Sequence, residues 1–395
     1  MSIDQLPEIA EAMVARGKGI IAIDESNATI KKRFDSVGVE NTEENRRAYR
    51  EMLLTTPGLA EHISGAILYD ETLRQKTKDG VPFTKVMMDN GILPGIKVDK
   101  GTTPLAGFPG EVVTDGLDGL RERLNEYAGL GAKFAKWRAV ININIEDGMP
   151  SDTCIEANAH ALARYAALCQ EAGIVPMVEP EVIMDGEHDI DDCFVVTEKV
   201  LRALFNALYQ HNVMLEGTIL KASMVIPGKD CPDQASAEDV ADYTVQCLKS
   251  AVPAALPGIV FLSGGQSDED ATAHLNEMNK MENLPWPLSF SYGRAMQTAA
   301  LKLWSKDIAG NAYRLLSPAE SLERLNAEML ARSEHASRFA TAVYAVIDVQ
   351  TGHVRFSCAG HPPVLLARAG GGFEPHGTTG GLLGVFEGTT FGEAE

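Results

Sequence analysis

Apolar positions along this chain alternate between helical spacing and short, near-continuous runs. Ile3 to Ala15 has the helical spacing, and Gly17 and Gly19 then open the run IIAIDES, a short buried strand ending in Asp24, Glu25 and Ser26. The same grammar repeats. NTEENRRAYREMLLTT predicts a helix with Thr42 as N-cap and glutamates in its first turn, and ISGAILYDETL a strand with a polar end. TKVMMDNG and PGIKVDKG follow, the second ending in Lys97 and Asp99. GLDGLRERLNEYAGLG predicts a helix stopped by Gly129 and Gly131, and it leads into the strand FAKWRAVI. A helix over Ile155 to Ala172 precedes IVPMVEPEV, and one over Cys193 to His211 precedes LEGTILKAS, expected as a buried strand from Leu215 to Ser223. Helices over Ala235 to Val252, Glu269 to Met281 and Gly293 to Trp304 alternate with PGIVFLSGGQS and PWPLSFSYGRA.

About eight strand and helix repeats, each strand a near-continuous apolar run, predict a parallel sheet covered on both faces. Closure into a (β/α)8 TIM barrel is the economical arrangement, with an open doubly wound sheet as the alternative. Polar residues gather toward the C-terminal end of every strand, where barrel sites are built. The chain's 395 residues leave room for an appendage beyond one barrel.

Bulk composition narrows the function classes. Hydrophobic residues at 45% and charged ones at 23% are those of a soluble globular protein, and no apolar run is long enough to suggest a membrane span. The N-terminal segment lacks the pattern of a secretory signal, so the expected location is cytoplasmic. A net charge of -20 argues against sequence-independent binding to nucleic acid or anionic lipid, and any positive charge for an anionic ligand must be local. The six cysteines include no C-x-x-C pair and no clustering with histidines, which fits a reducing compartment and argues against structural zinc.

The candidate chemistry lies on the strand ends. Lys221 carries an ammonium into a run of apolar and small residues, where an unpaired charge costs several kcal/mol, of order. It is either a core lysine whose head reaches an ion pair, or a Schiff-base lysine whose amine attacks a ketone when burial and nearby cations lower its pKa. Residues two apart on a strand share a face, so Lys97 with Asp99, Lys136 with Arg138, and Glu179 with Glu181 are same-face pairs. With Asp24 and Lys221 they line one barrel mouth, where interleaved lysines and carboxylates are expected to depress lysine pKa values. LSGGQS and SYGRA, after the seventh and eighth strands, form the expected anion site. The acidic start of the helix after LSGGQS, at Asp268, Glu269 and Asp270, directs a phosphate toward Gly293 and Arg294, with amides of Ser263 and Gly264 assisting.

GKGIIAIDES, GIKVDKG, FAKWR, IVPMVEPE, LEGTILK, FLSGGQS and SFSYGRA, in that order, resemble the signature strands of class I fructose-bisphosphate aldolase over residues 1 to 310. The resemblance implies a metal-free homotetramer that reversibly cleaves fructose 1,6-bisphosphate to dihydroxyacetone phosphate and glyceraldehyde 3-phosphate in glycolysis and gluconeogenesis. It implies no cofactor beyond a covalent Schiff base on Lys221. By the same resemblance Glu179 is the acid/base for carbinolamine formation and dehydration, Asp24 takes the C4 hydroxyl proton, and Lys136 sits beside the imine with Glu181 as its neighbouring carboxylate. Ser263, Gly264, Gly293 and Arg294 match the C1-phosphate site, and Lys97, Arg138, Ser26 and Arg33 the region of the C6 phosphate.

The pattern changes over 311 to 395, an α+β appendage. SPAESLERLNAEMLARSE predicts a helix with Ser317 as N-cap, Pro318 at the first position and Glu320 closing a capping box. RFATAVYAVIDVQTGHVRFSCAGHPPVLLAR predicts two strands around a turn at Gln350 to Gly352. This segment resembles an internal fragment of the bacterial metal-dependent (PPM-type) serine phosphatases that regulate sigma-factor partners. Asp348 is its only aspartate, so a two-metal site is not expected and His361 is expected to be structural. Such a fragment is expected to bury no core of its own. The chain ends in FGEAE and shows no terminal tyrosine of the kind aldolases use at the enamine, so slower proton transfer is expected there. The competing readings are a catalytically impaired, aldolase-fold scaffold or fusion, and a phosphatase-linked signalling protein.

Overall fold

The computed structural model describes residues 3–306, 317–331, 339–347, 353–367, 372–386 and 388–394. They form two compact units, 1–303 and 304–395.

In the first unit eight parallel strands close a barrel. They are β1 (Gly19–Ile23), β2 (Ile63–Leu68), β3 (Leu93–Lys97), β4 (Phe134–Ile141), β5 (Val175–Val182), β6 (Ile219–Ala222), β7 (Ile259–Phe261) and β8 (Leu288–Tyr292). Each strand pairs with its neighbours in sequence, and β1 with β8 closes the ring, Ile20 opposite Ser291. The open doubly wound alternative is thereby excluded.

Helix Leu6–Met13 covers one end of the barrel. Leu6, Ala10, Met13 and Val14 join Ile20, Phe134, Val175, Ile219 and Val260 in one buried cluster, drawn mostly from the N-terminal halves of the strands. The Ser64 hydroxyl donates to Met13 O at 2.6 Å and fastens the helix end to β2. An apolar plug at the strand starts leaves the strand ends as the place for polar side chains.

Local capping chemistry sets the helix starts. Thr42 accepts from Asn45 N at 3.1 Å, as its sequence position predicts. Two helices begin earlier than the apolar spacing suggests, because Ser151 and Asp189 cap them: they run Asp152–Glu171 and Ile190–Gln210. TKVMMDNG contributes to a helix, Phe83–Asp89.

The stretch Leu215 to Ser223 is not one strand. Leu215–Gly217 is a single turn of 3-10 helix, and β6 is only the four residues Ile219–Ala222. Buried Gln170 explains the break: its Nε2 donates to Met214 O at 2.8 Å and to Gly217 O at 3.3 Å, occupying carbonyls that a longer ladder would use.

The second unit contains helix Pro318–Ala331, a hairpin of β9 (Ala342–Ile347) with β10 (Val354–Ala359), and a further hairpin of β11 (Val364–Ala367) with β12 (Phe373–His376). The predicted capping box is present: Glu320 N donates to Ser317 Oγ at 3.3 Å, and Ser317 N to Glu320 Oε2 at 2.9 Å. The turn at Gln350 to Gly352 and Asp348 lie outside the described residues. The expectation of no core is corrected: Leu322, Ala359, Leu383 and Phe391 are buried together. Glu393 explains how, since its carboxylate accepts from Ala319 N at 3.1 Å and brings the last residues back to the helix start. His361 is exposed, its ring nitrogen Nδ1 3.1 Å from Pro362 O.

Among the described residues no helix is long and apolar enough to cross a membrane. No group of three or more His, Cys, Asp or Glu among them could hold a metal ion.

Glycine at 95 is required by close approach. A Cβ there would lie 2.2 Å from the ring of Phe134, which is fully buried and cannot move aside. Gly95→Ala is expected to cost about 1–3 kcal/mol by overpacking, whereas Gly129→Ala, with open space around it, should be neutral or stabilising. Urea unfolding of both variants checks this.

Candidate active site

Five of the barrel strands deliver charged side chains to their C-terminal ends. Asp24 follows β1, Lys97 ends β3, Lys136 and Arg138 lie on β4, Glu179 and Glu181 on β5, and Lys221 on β6. Lys136, Glu179 and Lys221 are each at least 95% buried.

They form one chain of ion pairs. Lys221 Nζ is 2.9 Å from Glu179 Oε1. Glu179 Oε2 is 3.2 Å from Lys136 Nζ, and Lys136 Nζ is 2.8 Å from Asp24 Oδ2. Two ammoniums and two carboxylates thus alternate across β6, β5, β4 and β1, balancing charge where desolvation is severe.

Burial alone would raise the Asp24 carboxyl, but Lys136, Lys221 and Lys97 outweigh it and bring it down to about 2. Glu179 is likewise lowered, burial being outweighed by Lys136, Lys221 and Arg138. Lys136 moves up: burial would lower it, but Asp24, Glu179 and Asp99 hold its proton. The expectation that interleaved charges depress lysine pKa values is therefore corrected for Lys136, because its nearest neighbours are carboxylates rather than cations.

The loops after β7 and β8 meet. Gly264 and Gly265 adopt φ of 58° and 97°, and Arg294 Nη2 donates to Gly265 O at 3.2 Å. Arg294 also begins the helix Arg294–Lys306, whose free amides complement an anion. The helix after the β7 loop is capped by its own Ser267, which accepts from Asp270 N at 3.0 Å.

Residues 5–340 match the family described as Fructose-bisphosphate aldolase class-I. The chain belongs to the class I fructose-bisphosphate aldolase family. It is similar to a probable fructose-bisphosphate aldolase class 1 of Xanthomonas campestris, 76% identical over 311 residues, or 79% of this chain and 92% of the relative. Cytosolic fructose-bisphosphate aldolase 5 of Arabidopsis thaliana is 56% identical over 303 residues, 76% of this chain and 84% of that one. The solved aldolase of Plasmodium falciparum, in complex with TRAP and a small-molecule inhibitor, shares 50% identity at a TM-score of 0.76, covering 77% of this chain and 87% of that one. Residues 295–395 match the family Stage II sporulation protein E (SpoIIE), so the two matches overlap over 295–340.

Apart from those on the β7 and β8 loops, the predicted residues of the aldolase barrel sort into three groups. Asp24, Lys136, Glu179 and Lys221 form the buried chain. The expectation of Glu181 as the carboxylate beside Lys136 is corrected: Lys136 pairs with Asp24 and Glu179, while Glu181 pairs with Arg138, two residues further along β4. Lys97 Nζ pairs with Asp99 Oδ1 at 2.6 Å, and Asp99 Oδ2 accepts from Arg138 N at 3.3 Å, joining Lys97 and Arg138 on one side. Ser26 caps the helix Asn27–Asp35. Arg33 lies on the β8 side: its Nη2 would be 3.9 Å from a Cβ on Gly293.

Sequence reasoning missed what holds Arg33. Buried Glu25 pairs with Arg33 at 2.5 Å and with Arg50 at 2.7 Å, and it accepts from Gln297 Nε2 at 2.8 Å. Gln297 Nε2 also donates to Ala22 O at 2.7 Å, and Tyr49 donates its hydroxyl to Gln297 Oε1 at 3.1 Å. Arg50 is 25 residues from Glu25 and Gln297 is 272 away, so no local pattern announces them.

The depressed Asp24 carboxyl links stability to pH. Folded Asp24 binds fewer protons than unfolded Asp24 between its ordinary 3.8 and about 2, so its contribution is full above that window and is lost as pH falls through it. The loss is about 2 kcal/mol. Asp24→Asn should flatten that part of the stability curve, measured by urea unfolding across the acid range.

Proposed function

We propose that this chain cleaves fructose 1,6-bisphosphate reversibly through a Schiff base on Lys221, as a step of glycolysis and gluconeogenesis. The observation that carries the reading is the buried Lys221–Glu179–Lys136–Asp24 chain, with Glu179 2.9 Å from the Lys221 nitrogen.

Glu179 receives the Lys221 proton, the freed amine attacks the C2 ketone, and a proton passes from the attacking nitrogen to the former carbonyl oxygen to give the carbinolamine. The carbinolamine hydroxyl then takes a proton from Glu179 and leaves as water, giving the protonated imine. Asp24 accepts the C4 hydroxyl proton while the C3–C4 bond breaks and its electron pair passes to the imine nitrogen. Glyceraldehyde 3-phosphate leaves, and protonated Asp24 returns its proton, directly or through water, to C3 of the enamine, so that the carboxylate is restored. Hydrolysis of the imine releases dihydroxyacetone phosphate and restores Lys221.

Lys136, held protonated, stays a fixed positive charge beside the imine and favours deprotonated Asp24. Ser263, Gly264, Gly293 and Arg294 take the C1 phosphate. Lys97 and Arg138 take the C6 phosphate, with Ser26 reaching the mouth from the β1 side and Arg33 from the β8 side, near Gly293. Since the protonated imine is the electron sink, the reaction calls on no metal ion.

The same reading makes residues 1–310 the aldolase domain and 311–395 a phosphatase-like segment. It also makes the enzyme a cytoplasmic homotetramer acting on sugar phosphates. Coupled cleavage of fructose 1,6-bisphosphate with chelator present should proceed unchanged, both in the full chain and in one ending at residue 310. Lys221→Ala should abolish it. Loss of turnover on chelation would contradict the mechanism, and loss on truncation would contradict the boundary.

A further inference from the structure

The loop after β7 has an internal brace that the reaction scheme leaves unused. Gln266 is 93% buried beneath it. Its backbone N and its Nε2 both donate to Ser263 O, each at 2.9 Å, closing a tight ring around Gly264 and Gly265. Nε2 also lies 3.7 Å from Met224 Sδ, three residues beyond Lys221. The brace therefore spans from the phosphate loop to the segment that follows the nucleophile's strand.

His274, on helix Asp268–Lys280, completes it. Its Nδ1 is 2.6 Å from Gln266 Oε1. A backbone carbonyl only accepts, so the Gln266 nitrogen must face Ser263 O and its oxygen must face His274. His274 Nδ1 consequently carries a hydrogen and donates it. That bond fixes the amide orientation: reversed, Gln266 would aim an oxygen at the Ser263 carbonyl. Burial lowers the His274 pKa against the opposing pull of Asp270, so the ring is a neutral Nδ1–H donor near pH 7.

We propose that His274 and Gln266 are positioning residues for the C1-phosphate half of the site, holding Ser263 and Gly264 in register with Lys221. The inference rests on the aldolase reading. Neither residue touches the substrate; His274 acts through Gln266, and Gln266 through the carbonyl of Ser263.

Dihydroxyacetone phosphate carries only the phosphate that this loop takes, whereas glyceraldehyde 3-phosphate carries the other. Condensation kinetics on the full chain separate the two. His274→Leu should raise KM for dihydroxyacetone phosphate about five- to tenfold, the worth of one lost buried hydrogen bond, and leave KM for glyceraldehyde 3-phosphate within twofold. His274→Asn puts an amide N–H where Nδ1 stood and should recover most of the lost affinity. Equal changes in both KM values, no change in either, or a His274→Asn enzyme as impaired as His274→Leu would overturn the proposal. A wild-type chain that catalyses neither direction would instead overturn the aldolase reading and take this inference with it.

Discussion

Glu179 held between two buried lysines is the constraint on which the site depends. An ammonium buried at the end of β6 is tolerable only with an anion in contact, and Glu179 Oε1 supplies it at 2.9 Å. Lys136 needs the same, and shares Glu179 while adding Asp24 at 2.8 Å. Remove Glu179 and two buried cations are left with one carboxylate. The groups to which the proposed mechanism assigns the chemistry are therefore also the groups that neutralise one another in the folded chain.

The barrel makes this arrangement affordable in geometry. Parallel strands bring β4, β5 and β6 side by side, with Arg138 opposite Glu179 and Val178 opposite Leu220 in register. The helix Leu6–Met13 fills the opposite end with apolar side chains, so charge has one place to gather. A second buried network, Glu25 with Arg33, Arg50 and Gln297, stands behind β1 and sets the Arg33 guanidinium toward Gly293. The two networks adjoin at Asp24, a member of the first, which precedes Glu25 in sequence and ion-pairs with Lys136.

Much of this was legible because strand period and strand-end polarity are local signals. The eight-strand barrel, the Thr42 cap and the Ser317 capping box follow from residues within a few positions of each other. The gathering of Asp24, Lys136, Glu179 and Lys221 followed from the rule that polar ends of barrel strands share a mouth. Partner choice within the mouth did not: Glu181 pairs with Arg138 rather than beside Lys136, a matter of side-chain reach that alternation alone does not set. The turn at Leu215–Gly217 depends on Gln170, 45 residues upstream of Leu215, and the small core of the second unit on Phe391 and Glu393 returning to a helix some 70 residues earlier. Long-range side-chain bonds of this kind leave no periodic trace.

The chain joins an aldolase barrel to a SpoIIE-like segment, and the proposed chemistry rests on one buried lysine of the barrel. The central claim is that Lys221 becomes covalently bound to substrate, and reductive trapping tests it most directly. Borohydride added with dihydroxyacetone phosphate should attach one substrate per chain, with peptide mapping placing the adduct on Lys221. An adduct on another lysine, or a Lys221 peptide left unmodified while the enzyme turns over, would contradict the account.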